Sequence, residues 1–172
     1  TASISSTNNV SSSQTVTLSM SDNVALAGYY WGTSSSTSPS YTAISGKNYS
    51  TDITVSSSGT YYLTVKDTSG NVYQTSSTFY KTTLSANGGS VYPTSITTQS
   101  GNSFTFPLPT RSGYTYNGWS TNLTATSGTT SLKPTENQTY YAVWTAISTD
   151  TTKPTASISS TNNVSSSQTV TL

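Results

Sequence analysis

Cysteine and histidine are absent from this chain of 172 residues, and charged residues make up only 6% of it. Without cysteine the chain has no disulfides and no thiol chemistry, and without either residue the commonest nucleophile–base pairs and zinc sites cannot be built. The net charge is +1, so we expect no basic patch for nucleic acid or an anionic membrane surface. No apolar run is long enough to span a bilayer. The sequence therefore predicts no nucleic-acid partner and no membrane insertion in this segment.

Hydroxyl side chains dominate what is present, with 37 Ser and 37 Thr. Such a composition is compatible with disorder. However, the 13 Tyr, 3 Trp and 3 Phe lie mostly in runs of alternating polarity, and each buried aromatic ring removes a large area from water. Helix formers are scarce, whereas Thr, Tyr and Val are plentiful. We expect a folded, mainly all-β chain.

One segment of the chain occurs twice. Residues 155–172 repeat residues 1–18, TASISSTNNVSSSQTVTL, without a single change, which gives a period of 154 residues. This repetition indicates a tandem array, in which each unit contacts mainly its neighbours. Residues 155–172 alone supply only the first strand or two of a sheet, and such a pair is marginal in water. We expect them to begin the next copy or to be completed by a neighbouring molecule.

Residues 1–78 form the first of two predicted modules. Apolar and polar residues alternate over 16–20, 53–55 and 61–65, and the cluster at 67–71, Asp-Thr-Ser-Gly-Asn, is typical of a hairpin turn. Several short strands separated by turns predict a β-sandwich.

Four residues of this module resemble the core positions of an immunoglobulin-like domain of bacterial surface proteins. Trp31 stands where a core Trp lies on the third strand, and Tyr61, two residues before Leu63 on the sixth strand, has the spacing of a tyrosine corner. Leu18 and Leu63 stand where antibody domains have paired cysteines. The resemblance therefore implies the fold without its disulfide, with these four residues in the core.

Residues 79–146 form the second predicted module, which resembles the Listeria–Bacteroides repeat, or internalin B-repeat, of bacterial surface proteins. The resemblance rests on three motifs in order: ANGGSV at 86–91, PLPTRSGYTYNGW at 107–119 and TYYAVW at 139–144. The family implies a small β-grasp-like fold that serves as a repeated stalk module. Asn-Gly-Gly at 87–89 predicts a tight hairpin, Gly113 and Gly118 are expected to bracket a strand, and Trp119 and Trp144 are the predicted core residues.

Two connections complete the organisation. Residues 147–154 form a short polar linker that Pro154 stiffens. No linker sequence lies near residues 78–81, so the two modules are expected to share a strand or to pack closely.

Few residues suggest chemistry. A glycosidase needs two carboxylates facing each other across a cleft, but at least two of those present fall in turns or linkers, where such residues bond the local backbone. We interpret them as solvated turn residues and predict no catalytic, metal or cofactor site. The alternatives are a calcium site from Asp22, Asp67 and Asp150, and an isopeptide cross-link at Lys81. The five carboxylates are Asp22, Asp52, Asp67, Glu136 and Asp150.

The favoured interpretation is a structural stalk or spacer segment of a repetitive bacterial cell-surface adhesin. It would lie outside the cell, contact neighbouring repeats of the same protein and have no enzymatic activity. Two alternatives stay open. In one, copies of the chain assemble into an extracellular filament by strand exchange. In the other, the chain binds a host glycan or protein, with sugars stacking on rings expected on faces opposite the core, those of Tyr29, Tyr62, Tyr73 and Tyr141.

Overall fold

The computed structural model describes residues 1–160 and 170–171, and every regular element in them is a β-strand. The all-β prediction is therefore confirmed, and this part of the chain contains no helix suited to crossing a membrane. In chain order the strands are β1 (Ala2–Ser6), β2 (Gln14–Ser21), β3 (Leu26–Gly32), β4 (Thr42–Ala43), β5 (Asn48–Val55), β6 (Gly59–Asp67), β7 (Val72–Ser85), β8 (Ser95–Gln99), β9 (Phe104–Thr105), β10 (Tyr114–Ser120), β11 (Ser131–Leu132), β12 (Gln138–Ala146), β13 (Ser159–Ser160) and β14 (Val170–Thr171).

The first module is a sandwich of two sheets. One sheet has the order β1-β2-β5, and the other contains β4, β3, β6 and the first part of β7. Alternation along β2 turns Val16, Leu18 and Met20 inward, and all three are buried. They pack in one cluster with Leu63 and Val65 of the opposite sheet. An antiparallel sheet with one face on the core and one in solvent has this alternating pattern.

The hairpin predicted at residues 67–71 joins β6 to β7. The amide of Asp67 donates to the carbonyl of Asn71 at 3.0 Å. Gly70 has a φ of 93°, a conformation that glycine adopts without steric cost. The turn sequence therefore sets the register of the longest strand in the described chain.

Strand β7 belongs to both modules. It pairs antiparallel with β6 over residues 72–79 and with β8 over 79–83, and it pairs parallel with β12 over 82–85. Its residue Phe79 is buried in the first core, and Leu84 is buried in the second. The strand crosses from residue 78 to 79 without a break, as the absence of a linker sequence suggested.

The second module packs β8, β7, β12 and β10 with the small sheet β9–β11. Gly118 does not end a strand, contrary to expectation, but lies inside β10 at a bulge between Tyr116 and Trp119. Its φ of 107° favours glycine, and the bulge allows the strand to continue through it. The buried core consists of Leu84, Ile96, Phe104, Phe106, Trp119 and Ala142.

The turn at residues 87–89 is not a tight hairpin between paired strands, so that prediction is wrong. Asn87 and Gly88 do have positive φ, of 48° and 88°. However, β7 ends before this turn and its partner β8 begins only at residue 95. Ser90 instead exchanges two backbone hydrogen bonds with Thr110, at 2.8 and 2.9 Å. This distant pairing draws residues 86–94 into a longer loop.

Part of the repeated segment lies among the described residues. In β13 and β14 the pairs are Ser159 with Thr171 and Ser160 with Val170. Shifted by one period, they have the same register as the pairs of β1 and β2, Ser5 with Thr17 and Ser6 with Val16. The 18-residue sequence thus selects one hairpin register in both copies. The rest of the repeated segment, residues 161–169 and 172, lies outside the described residues. The expectation that it begins the next copy or is completed by a neighbouring molecule therefore stays a prediction.

Candidate functional site

The six predicted core residues occupy the two cores or their margins. Leu18 and Leu63 are fully buried in the first core, and Trp119 is buried in the second. The other three, Trp31, Tyr61 and Trp144, are half-buried and pack against these cores.

Tyr61 connects the core of the first module to its edge. Its ring stacks on Trp31 with centroids 5.3 Å apart and meets the edge of Phe79 at 5.8 Å. Its hydroxyl donates to the carbonyl of Ser57 at 3.3 Å. A hydrogen bond to the backbone a few residues upstream is the bond expected of a tyrosine corner.

The two tryptophans of the second module fasten loops to its sheet. The indole N–H of Trp119 donates to the carbonyl of Pro107 at 3.1 Å, and that of Trp144 donates to the carbonyl of Ala86 at 2.9 Å. A buried indole usually finds such a partner, since an unpaired donor is costly. These side chains therefore hold the loops before β8 and β10 in place.

The first module meets the second along a row of hydrogen bonds, which we call the seam. One side is the opening segment, residues 1–18, and the other is residues 97–103. Thr97 donates two hydrogen bonds to the opening segment. Its amide donates to the carbonyl of Ser11 at 2.9 Å, and its hydroxyl donates to the carbonyl of Ser12 at 2.8 Å. Further along, the side chain of Gln99 donates to the carbonyl of Ile4 at 3.1 Å. The side-chain nitrogen of Asn8 donates to the carbonyl of Ser103 at 2.9 Å, and that of Asn102 donates to the hydroxyl of Ser6 at 3.2 Å.

Gln14 is a buried polar residue of the seam, with 1% of its surface exposed. Its side-chain N–H donates to the carbonyl of Thr97 at 2.8 Å and also to that of Asn9. Its side-chain oxygen accepts from the amide of Asn9 at 3.0 Å. Sequence reasoning missed this residue, although Gln14 lies on the same face of β2 as Val16 and Leu18. A lone amide at an inward-facing position was the signal, because a buried polar group needs partners.

Asn137 forms a third connection between the modules, on another part of their boundary. Its side-chain oxygen accepts from the amide of Lys81 at 2.8 Å, and its side-chain nitrogen donates to the hydroxyl of Ser58 at 3.1 Å. Together with the continuous strand β7 and the seam, this bridge fixes the second module against the first. The arrangement therefore resists bending at the junction.

The carboxylates are held by nearby residues. Asp22 accepts from the amides of Val24 and Ala25 at 2.7 and 2.9 Å. The side chain and amide of Asn71 hydrogen-bond to Asp67 and keep the pKa of that carboxyl below its usual value of 3.8. A bond from the amide of Thr152 lowers the pKa of Asp150 in the same way.

These carboxylates do not assemble into one site. Asp22 and Asp67 line one small pocket without Asp150. Within residues 1–160 and 170–171, no three acidic side chains lie close enough together to hold a metal ion. The calcium alternative therefore has no ligand set in the described part of the chain.

The tyrosines that were expected on faces opposite the core differ in how exposed they are. Tyr73 is 52% exposed, but Tyr29 packs at the margin of the first core beside Tyr49, so its expected placement was wrong. Residues two apart in a strand share a face, and Tyr29 therefore faces the core with Trp31. Tyr141 lines an open polar groove with Lys81. The Lys81 side chain is exposed, whereas the isopeptide cross-link that was the alternative there needs a buried acid.

No protein-family model, curated protein or solved structure matches this chain. The two family resemblances therefore stay predictions that rest on the motifs. The seam and the shared strand are features of this chain's own structure.

Proposed function

We propose that this chain is a structural stalk segment of a repetitive bacterial cell-surface adhesin. In this proposal each 154-residue unit is a stiff element, successive units follow head to tail outside the cell, and the chain has no catalytic role. The observation that carries the proposal is that the first and last strands of a unit reach opposite ends of β7.

The start of the unit lies beside the start of β7. Thr1, Asp22 and Val72 line the same pocket, so the first residue is level with the beginning of β7. The end of the unit lies beyond the other end of β7. Strand β12 runs parallel to β7, pairs with its last residues up to Ser85 and continues for five more residues to Ala146. Chain entry and exit are therefore far apart.

The length of the unit follows from strand geometry. At about 3.3 Å per residue, the 14 residues of β7 span about 43 Å, and the extension of β12 brings the unit to about 60 Å. The linker at 147–154 adds at most about 32 Å between Ala146 and Thr155 when fully extended. Each added unit therefore lengthens the array.

Stiffness within the unit comes from the three connections between its modules. A flexible tether between domains normally permits relative motion. Here a continuous strand crosses the boundary, the seam closes one side, and Asn137 bridges Lys81 and Ser58. A chain that serves as a spacer benefits from such a junction because bending within each unit would shorten its reach.

Small-angle scattering tests the proposal. We compare the 172-residue chain with one extended by a further copy of residues 19–172, at several protein concentrations. The maximum dimension is expected to increase by about 60–90 Å and to be independent of concentration. A matched control replaces residues 147–154 by an equally long Gly/Ser linker, which should broaden the distance distribution. If the second unit folds back beside the first, the maximum dimension barely changes and the stalk proposal fails.

A further inference from the structure

We propose that Pro154, the last linker residue of one unit, packs into the first module of the next unit and covers the end of its core. The binding site is the pocket beside the first residue of a unit, which we call the entry recess. Pro154 stands directly before Thr155, which is the repeat of Thr1. This inference deepens the proposed function and rests on it, because it requires units that follow one another head to tail.

The entry recess lies at the end of the first core and has a volume of about 110 Å³. Leu26 and Val65, two buried residues of that core, line it. Val72 and Tyr73 also line it, but they are 42% and 52% exposed. An apolar side chain that covered the recess would remove this surface from water, which is favourable.

The register of the opening hairpin determines where the residue before Thr1 lies. Ala2 pairs with Met20. The nitrogen of Thr1 donates to the carbonyl of Ser21 at 2.6 Å, and the amide of Ser21 donates to the carbonyl of Thr1 at 2.9 Å. In an antiparallel pair, each step back along β1 is a step forward along β2. The residue before Thr1 is therefore opposite Asp22, which lines the entry recess.

Alternation along β1 turns the same residue towards the core. Side chains two apart in a strand share a face. Ala2 and Ile4 pack against the first core, whereas Ser3 between them is exposed. Pro154 stands two residues before Ala156, the repeat of Ala2. A strand continued by these residues therefore directs the proline ring to the entry recess.

Proline suits this position in backbone chemistry and in size. Thr1 and Ser21 form a hydrogen-bonded pair, and such pairs alternate with pairs that exchange no bonds. The residue opposite Asp22 therefore needs no N–H for the ladder, and proline has none. The amide of Asp22 donates instead to the carbonyl of Lys47, just before β5, at 2.9 Å. A cavity of roughly 150 Å³ holds benzene, so the smaller ring of proline matches the recess.

The contact would control the junction between units. It shortens the flexible part of the linker to residues 147–153 and fixes the direction in which the chain enters the next unit. The continuous strand, the seam and the Asn137 bridge act only within a unit. A seated proline therefore limits bending where those three connections do not.

A single unit with an added linker tests the contact. We place the sequence of residues 147–154 before Thr1 of the 172-residue chain and compare it with the same chain carrying Pro154→Ser in the added linker. Tyr73→Ser removes one wall of the entry recess in both chains. Tyr92→Ser, at a 90% exposed position of the second module, is the matched control. Thermal unfolding gives the midpoints, and nuclear Overhauser effects report contacts of the added proline ring.

We expect the chain with the added proline to unfold about 2–4 °C above the chain with the added serine. Tyr73→Ser should remove most of this difference, whereas Tyr92→Ser should leave it unchanged, because only residues in contact are coupled. Nuclear Overhauser effects should connect the added proline ring to Val65 or Tyr73.

Equal midpoints for the proline and serine linkers, with no Overhauser effect to the recess, would overturn the inference. A difference that persists in full in the Tyr73→Ser chains would also overturn it, because proline can stabilise by restricting the unfolded chain without any contact. Neither result concerns the length of the array. The stalk proposal fails only if scattering shows that a second unit does not increase the maximum dimension.

Discussion

The side chain of Gln14 donates a hydrogen bond to the carbonyl of Thr97 at 2.8 Å, although the two residues are 83 positions apart in the sequence. The bond is buried and lies where the first module meets the second. It joins two modules that the sequence presents as separate motifs. It also gives one duplicated segment two structural tasks, because the same residues complete a sandwich and attach that sandwich to its neighbour.

Gln14→Ala is expected to lower the free energy of unfolding by about 1–3 kcal/mol, because the buried carbonyl of Thr97 and the partly buried carbonyl of Asn9 lose their donor. Urea denaturation of the full chain measures the change. Ser19→Ala serves as the control because Ser19 is an exposed residue of the same strand, β2. This substitution should change the stability by less than about 0.5 kcal/mol. Equal changes in the free energy of unfolding for Gln14→Ala and Ser19→Ala would show that the hydrogen bonds of Gln14 in the seam do not stabilise the unit.

Gly118→Ala is expected to destabilise the second module more than Gly70→Ala destabilises the first. A β-carbon at residue 118 would lie 2.5 Å from the carbonyl carbon of Gly128, and the φ of 107° also disfavours alanine. At Gly70 the φ is similarly positive, at 93°, but no atom lies within 4 Å of the added carbon. We expect losses of at least about 3 kcal/mol and about 1–2 kcal/mol, respectively.

The pair Gly118 and Gly70 separates two effects. Both substitutions place alanine at a similarly positive φ, and only one adds a steric clash with backbone. Thermal unfolding followed by circular dichroism compares the two variants directly. Similar losses of stability in both variants would mean that the loop containing Gly128 moves away readily from the bulge.

Tyr61→Phe is expected to be mild and Tyr61→Ala severe. The first removes only the hydroxyl bond to Ser57, worth about 0.5–1 kcal/mol at this exposed position. The second also removes the ring that stacks on Trp31 and meets the edge of Phe79, at a cost of about 3 kcal/mol. Chemical denaturation of both variants measures the difference. A large loss in Tyr61→Phe would instead place most of the contribution in the hydrogen bond.

Alkaline pH should weaken the second module. Burial raises the pKa of Tyr116 and Tyr140 above the usual 10.0, and Glu136 raises that of Tyr140 further. A phenol whose pKa is raised by folding contributes stability below its unfolded pKa and loses that contribution as the pH rises through the folded pKa. Stability should therefore fall above about pH 10.

Phenolate absorbance of Tyr140→Phe and of Glu136→Gln checks this assignment. Removing Tyr140 should delete one late-titrating phenol from the curve. Glu136→Gln should bring the titration of Tyr140 closer to the usual range without restoring it fully, because burial is the larger cause. An unchanged titration curve in Tyr140→Phe would mean that this phenol does not titrate late.

The sequence determined the features that depend on local pattern. Alternation along residues 16–20 and 61–65 gave strands with one buried face, because side chains in a strand point alternately to opposite faces. The turn residues at 67–71 set the hairpin between β6 and β7. The identical segments at 1–18 and 155–172 pair in the same register where both are described.

Only the tertiary structure decided which distant segments meet. The turn at Asn87 does not close as a tight hairpin, because Ser90 pairs with Thr110 and draws residues 86–94 into a longer loop between β7 and β8. Strand β12 lies parallel to β7, and no local signal specifies a partner that far along the chain. Gln14 could be recognised as an inward-facing amide, but its partner at Thr97 could not. Non-local hydrogen bonds depend on how whole sheets stack, whereas periodicity reports only which face of each strand is turned towards the core.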